Sequence, residues 1–466
     1  MRRGELAVPA RMSRVAVVAP RARVREALVA LADAGTVELV GALPPAQGKA
    51  VEALRRLERK GARAGPARPC LAPELPDLDE LERAGARDLL AGEVELARRD
   101  DGAVRHGSFA GFVGWTPESE LETLSERLAP AGAAIVELSR PVWADPPTLL
   151  RTVRPARPFR PLVETYGAAR YEDIDPTPFA ALAFVLMFGM MFGDAGQGLV
   201  LLALGLVLRR ARGRLASVQF AWPLVVSCGA SGTLFGLLYG EFFGPTGVVP
   251  TLWLDPLDEP FRLLIAAIAV GAVLLAASYA IGTVNRWRER GPFAALVAPS
   301  GFAGIAVFLG GAVALTGVLR DLDALLLVGV GVIGIGALLL GLGFFLEAGR
   351  GPTAAAQASI EGVDAVVRVA ANSVSFARLA AFGLMHGALT AIVWDGTVAL
   401  WGGVLTAAAI TLFTVGNAAT FSLELLVAGV QTLRLEYYEL FSRIFAGEGR
   451  PFTPWSFPLA SGKEES

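Results

Sequence analysis

The feature that most constrains this chain is a crowd of apolar runs between residues 178 and 445. Clear runs lie at about 216–240, 261–285, 293–319, 323–347, 370–395 and 399–442. A helix needs about 20 apolar residues to cross the hydrocarbon core of a bilayer, so each run is long enough to span. Of 466 residues, 53% are hydrophobic, and the mean hydropathy is +0.51. The chain reads as a multi-span α-helical membrane protein with an N-terminal cytoplasmic α/β lobe and a short helical arm. A net charge of −2 gives it no bulk attraction for nucleic acid. Cys70 and Cys228 stand far apart, which suggests no disulfide framework and no metal site. The opening MRRGELAVPARMSRV lacks the apolar stretch of a signal peptide.

Charge sorts the connections between spans. Arg209, Arg210, Arg212 and Arg214 precede the first clear run, Arg286, Arg288 and Arg290 follow the second, and Arg350 follows the fourth. The alternate loops carry Glu241, Asp255, Asp258 and Glu259, then Arg320 with Asp321 and Asp323, then Asp395. Placing the arginine-rich side in the cytoplasm satisfies all of these together. It also puts the C-terminus there, with Arg443 and Arg450. The run Phe179–Leu208 then has to cross an even number of times. It is too short for two full spans, but Gly193-Asp194-Ala195-Gly196-Gln197-Gly198 is a break in its middle. Two short or tilted helices are expected, eight spans in all. Asp194 is either a pathway carboxylate or the cap of a half-helix. The last run exceeds any bilayer thickness, so its helix must tilt, break or emerge, with Gly416-Asn417 a possible break.

Ahead of the membrane part, residues 13–40 read as strand, helix, strand, with Gly35 ending the helix. Residues 109–138 repeat the pattern, with Thr116 expected to cap a helix that Pro117 starts. Val51–Lys60 and Leu78–Arg99 are charged helical segments that either project as a hairpin or pack on the lobe. The proline- and arginine-rich stretch that follows, with Arg151, Arg154, Arg157, Arg160 and Arg170, reads as an extended linker. The expected domains are the lobe with its arm (1–140), linker (141–177), membrane domain (178–445) and cytoplasmic tail (446–466).

Two apolar stretches carry embedded charge: Arg378 and His386 lie in NSVSFARLAAFGLMHGALT, and Glu424 and Arg434 in LELLVAGVQTLR. A charge at the centre of a membrane helix costs roughly 2.5–3.5 kcal/mol on insertion scales, so such residues are functional candidates. Asp364 and Arg378 are about four turns apart and share a face if one helix carries both, while His386 lies about 80° round from Arg378. These spacings spread the polar groups along the helices. A spread suits two water-accessible paths meeting at a charge barrier, whereas a cluster would suit a pocket or a metal. Arginine does not release its proton and serves as a fixed positive charge; Glu424 and His386 can titrate. No phosphate-binding loop of the GxxxxGK[ST] type occurs, and no paired nucleophile and base is seen. Ser461-Gly462-Lys463 lacks the upstream glycine, and Gly329, Gly331 and Gly334 sit inside an apolar span where close helix packing explains them.

Several runs together carry a resemblance. MSRVAVVAPRARVREALVALADAGTVEL, GWTPESELETL, DPPTLL, YGAARYEDIDPTPF, FGMMFGDAGQG, NSVSFARLAAFGLMH, LELLVAGVQTLRLEYYELF and GEGRPFTPWSF occur in order along the chain. In that order they resemble the membrane stator subunit of V-type and A-type rotary ATPases, the subunit a or subunit I family. The resemblance implies a non-catalytic, ion-translocating subunit with no cofactor, in the cell membrane. It implies that Arg378 and Arg434 face the carboxylates of a proteolipid ring, and that Glu424, His386 and Asp364 line ion half-channels, for H⁺ in the first instance. Asp194 is a further half-channel candidate. The implied partners are the ring subunits, the peripheral stalk, the lipid bilayer and, indirectly, the central stalk and ATPase head. The arm is short for the family, and Gln197 stands where an aromatic residue or histidine is expected. The alternative is a self-sufficient secondary ion or anion transporter with Arg378 holding an anionic substrate, which calls for inverted repeats and paired broken helices. Only the 193–198 break fits that.

Overall fold

A computed structural model of the chain describes residues 9–41, 43–60, 67–141, 144–150, 156–348, 352–445 and 447–460. Arg151, Arg154, Arg350, most of the N-terminal MRRGELAVPARMSRV and the Ser461–Lys463 tripeptide's neighbourhood lie outside the described residues. Two compact units emerge, one of residues 9–150 with 449–460 and one of residues 156–448.

The first unit is an α/β lobe. Strand β1 (Met12–Pro20) leads to helix α1 (Val24–Ala34), which stops at Gly35 in the left-handed conformation, φ 59°. Strand β2 (Glu38–Val40) follows. Helices α2 (Lys49–Lys60), α3 (Leu78–Ala84) and α4 (Arg87–Asp101) form the arm. Strands β3 (Val104–His106) and β4 (Phe109–Pro117), helix α5 (Leu121–Leu128) and strand β5 (Ala134–Leu138) complete the sheet. Strand order is β2-β4-β1-β5, with β3 also on β4 and all pairs antiparallel. The two strand–helix–strand units are thus interleaved, each with its strands separated by one from the other unit. Alternating residues Val15, Val17 and Ala19 of β1 are fully buried, and Leu28 and Leu31 of α1 join Leu124 and Leu128 of α5 over the sheet.

Three local readings are refined. Thr116 does not cap a helix: β4 continues through Pro117, and the Thr116 hydroxyl donates to the Thr36 carbonyl at 2.9 Å. A fully buried strand position, with a cross-strand acceptor, outweighs the local start signal. The arm packs on the lobe instead of projecting, because Leu96 of α4 enters the lobe core and Glu93 pairs with Arg25 of α1 at 2.5 Å. The segment after residue 448 is not a separate tail. Trp455 lies in the lobe core and its amide donates to the Val37 carbonyl at 2.8 Å, while Arg450 pairs with the buried Glu38.

The second unit is a multi-span helical membrane domain. What reads as a linker folds in part into α6 (Arg160–Tyr166), whose first turn accommodates Pro161 without losing a hydrogen bond. The apolar helices are α7 (Thr177–Met191), α8 (Ala195–Leu208), α9 (Trp222–Tyr239), α10 (Pro260–Arg290), the short α11 (Pro292–Val297), α12 (Phe302–Leu319) and α13 (Asp323–Ala348). Then come α14 (Pro352–Ser375), α15 (Ala377–Ala399) and α16 (Thr406–Leu435). Among the described residues, six helical stretches are long and apolar enough to cross a membrane, and α7 and α8 are two shorter apolar helices. The long C-terminal helices break elsewhere than expected. Helix α16 passes straight through Gly416-Asn417 and turns π-helical only at Glu436–Phe441. The preceding helix is interrupted at the fully buried Phe376, two residues before Arg378.

A buried polar knot holds the approach to α7. Asp173 is fully buried and its carboxylate accepts from the Arg170 amide at 2.9 Å. Arg170 reaches Glu289 at 3.5 Å and Glu448 at 2.5 Å, and Arg286 pairs with Glu289 at 2.6 Å. Asn285 accepts from the Ile174 amide at 2.9 Å and donates to the Ile444 carbonyl at 3.0 Å. Burial, reinforced by the adjacent Glu289 carboxyl, pushes the Asp173 carboxyl up to about 7. A raised folded-state value means that the protonated form's contribution to stability is complete below the ordinary 3.8 and is lost as pH rises through about 7. Asp173→Asn keeps the shape and the acceptor without the charge. The variant should therefore melt higher than wild type at pH 8, with the gap closing towards pH 4.5; thermal unfolding in detergent at the two pH values checks this.

Candidate functional site

The site is built where α8 begins. Asp194 has extended backbone (φ −128°, ψ 123°) and caps α8 by accepting from the Gln197 amide at 2.8 Å. The same carboxylate accepts from the amides of Phe243 at 3.0 Å and Gly244 at 2.8 Å. The Ala195 amide, another free donor of the α8 first turn, is taken by the Glu241 carbonyl at 2.9 Å. The loop after α9 is thereby folded back onto the start of α8. Phe243 is held at φ 52°, a conformation unusual for an aromatic residue and retained because its neighbours fix it. The approach is tight: a Cβ on Gly236 of α9 would lie 2.0 Å from the Ala195 nitrogen.

This folding-back delivers Glu241 to α15. Its carboxylate lies 3.5 Å from His386 Nε2, and the other face of the ring, at Nδ1, is engaged by Glu424 of α16. All three side chains are at most 5% exposed. Gly387 leaves the room, since a Cβ there would sit 2.8 Å from Glu241 Oε1. Phe192 closes one wall, its ring 5.8 Å from that of His386 and 5.9 Å from that of Phe421. Gln197, buried, donates weakly to Asn417 and Thr420 of α16, both at 3.4 Å, so α8 and α16 are joined by polar side chains. Glu241 Oε2, His386 Nε2 and Glu424 Oε1 are buried with no hydrogen-bond partner among the described residues.

The charged residues flagged by the sequence separate into two groups. His386, Glu424 and Asp194 come together with Glu241. The spread along each helix is real, but helices α15 and α16 run alongside each other and bring His386 opposite Glu424, which spacing within one helix does not encode. Arg378 lies near the start of α15, about 12 Å along the axis from His386. Its Nη1 is buried without a hydrogen-bond partner among the described residues. Arg434 is exposed. Glu439, buried in the π-helical segment, lies close to Ser375, Arg378 and Arg434. Asp364 stands apart. It is exposed on α14, paired with Arg368, and the interruption at Phe376 separates it from the helix of Arg378. Glu241 and Glu439 escape the sequence reading. Glu241 follows an apolar run and so reads as a loop acid facing water, although the half-buried Phe242 and Phe243 beside it mark a loop start that packs inward.

With three backbone donors on one carboxylate, Asp194→Ala should lower stability by on the order of 3 kcal/mol or more, since each orphaned buried N–H costs about 1–3 kcal/mol. Asp194→Asn should lose roughly half as much. Thermal unfolding of the two variants against wild type measures the order.

Residues 105–244, which include Asp194, Gln197 and Glu241, match the V-type ATPase 116 kDa subunit family. The chain is 27% identical over 387 residues to an A-type ATP synthase subunit I of Pyrococcus horikoshii, covering 79% of this chain and 57% of that protein. The subunit I of Aeropyrum pernix is 29% identical over 395 residues, covering 74% and 56%. That of Thermococcus kodakarensis is 26% identical over 373 residues, covering 74% and 53%. The chain thus spans just over half the length of these relatives. The matched stretch contains the fold-back that presents Glu241, and the relatives extend the likeness over most of the chain. In both comparisons the chain is similar to the V-type and A-type ATPase subunit a/I family.

Proposed function

We propose that the chain is the membrane stator subunit of a V/A-type rotary ATPase, providing H⁺ half-channels against a proteolipid ring and anchoring the peripheral stalk through its lobe. The observation that carries the reading is His386 held between two carboxylates, Glu424 and Glu241, inside an otherwise apolar helix packing, with Arg378 further along the same helix. Three adjacent groups that bind and release protons form a segment of a proton path. Arg378 supplies what such a path needs at its end, a charge that never leaves. Its buried, unpartnered Nη1 and the exposed Arg434 are suited to an acidic side chain brought by another subunit. A ring carboxylate passing these guanidiniums is held ionised, and protons are denied a direct route between the two half-channels. ATP chemistry lies with other subunits, and the bilayer is the chain's solvent.

In this reading His386, Glu424 and Glu241 line one half-channel, with Asp194 holding the loop that carries Glu241. Asp364, exposed and at a distance, is assigned to the opposite approach. Glu439 orients the two arginines by its charge.

The test is ion uptake and ATP hydrolysis followed together in sealed vesicles containing the assembled complex. Arg378→Gln should abolish uptake with the complex intact. Glu241→Gln, which keeps shape and loses charge, should reduce uptake strongly in the same assay. Full uptake in an assembled Arg378→Gln complex removes Arg378 from the mechanism, and a wild-type chain that co-purifies with no rotary complex removes the stator reading.

A further inference from the structure

Asp194, Glu241 and His386 each offer one ligand atom within 4.8 Å of the others, and all three are buried. Such a cluster alone is not a site. Here two of the three donors, Glu241 Oε2 and His386 Nε2, are also without hydrogen-bond partners among the described residues, and they face each other at 3.5 Å within reach of Asp194. Asp194 Oδ2 takes a single backbone donor, Gly244, and keeps one acceptor direction free. The fourth element is Glu424 on the far side of the imidazole. With Nδ1–H given to Glu424, the ring presents its Nε2 lone pair to the cluster. A carboxylate behind a histidine in this way fixes the tautomer and orientation of a metal ligand and raises its basicity.

We propose that Asp194, Glu241 and His386 form a binding site for a divalent cation of the zinc class, with Glu424 as the outer carboxylate that positions His386. One imidazole nitrogen with two carboxylate oxygens suits zinc-like ions. Magnesium and calcium favour shells of six or more oxygens, whereas the three side chains here offer two carboxylates and an imidazole nitrogen. Bonds of about 2.0–2.1 Å place tetrahedral ligands roughly 3.3 Å apart, so the widest separation has to close by about 1.5 Å. Rotation of the Glu241 side chain supplies most of that, since neither its Oε2 nor His386 Nε2 gives up a hydrogen bond. Three protein ligands leave a fourth position for water. Binding itself is independent of the transport role. The consequence for transport rests on the proposed function: an ion here occupies both Glu241 and His386 and closes that half-channel.

The test is zinc retention by the full-length chain purified in detergent. Cys70→Ser, Cys228→Ser and His106→Gln are combined in the parent to remove the remaining thiols and the other imidazole. After equilibration with Zn²⁺ in excess Mg²⁺, metal analysis should find one zinc per chain. X-ray absorption should show nitrogen and oxygen ligands with a single imidazole. His386→Gln and Glu241→Gln should each lose the ion while keeping the parent's thermal transition, and Glu424→Gln should weaken binding roughly 10–100-fold. A parent that retains no zinc overturns the proposal, and so does undiminished zinc in His386→Gln. Stoichiometric zinc with no effect on ion uptake in complex-containing vesicles leaves the site standing and counts against the half-channel reading, so the two fail separately.

Discussion

The Asp194 carboxylate is the tie on which the polar interior of this helix bundle depends. It caps α8 and at the same time collects two amides from the loop beyond α9. Non-helical backbone surrounded by apolar helices is tolerated only when its donors and acceptors are satisfied internally. Asp194 does this for Phe243 and Gly244, and the Glu241 carbonyl does the reciprocal service for the α8 first turn. Because these bonds fix the backbone at residue 241, the Glu241 side chain arrives beside His386 without any helix having to carry it there. Capping α8 and placing the Glu241 carboxylate beside His386 are therefore the work of one set of hydrogen bonds.

Leaving three buried polar atoms unpaired in one pocket is unfavourable for folding, at about 1–3 kcal/mol for each unsatisfied group. The apolar packing around the pocket offsets it. Phe192 and Phe421 close over the site, and Tyr239, Met187, Met190 and Met191 fill the space between α7 and α9. Phe192 packs beside the His386 ring and Glu424 engages its Nδ1, which leaves Nε2 and Glu241 Oε2 without hydrogen bonds among the described residues. A polar site with all its hydrogen bonds made would be more stable and less reactive.

What the sequence made legible follows from what each signal measures. Hydropathy counts transfer free energy, so Arg378, His386, Glu424 and Arg434 stood out as misfits in apolar runs, and the helices themselves were placed well. The break before α8 was readable because Gly193-Asp194 is local chemistry, a flexible residue followed by a capping one. The interruption at Phe376 carries no such mark: a phenylalanine favours no break, and its complete burial shows that tertiary packing imposes the kink. Gly416-Asn417 failed as a break for the converse reason. Neighbouring helices hold α16 straight there, with Asn417 Nδ2 returning to the Phe413 carbonyl at 3.0 Å and its Oδ1 taking Gln197. Thr116 was misread because a start signal for a helix is also compatible with a strand that has one more partner to meet. Glu241 is hidden because charge in a loop is the expected state, and only the long-range bonds from Phe243 and Gly244 to Asp194 reveal that this end of the loop is folded into the packing.

The chain's two ends bear on the same question from another direction. Residues 9–150 and 449–460 build one lobe, sharing the core of Trp455 and the pairing of Arg450 with Glu38. Helices α7 and α8 are joined by the tight turn at Gly193-Asp194, and Asp194 sits at the turning point. A buried carboxylate at such a turn lies at the end of two helices and at the foot of a folded-back loop.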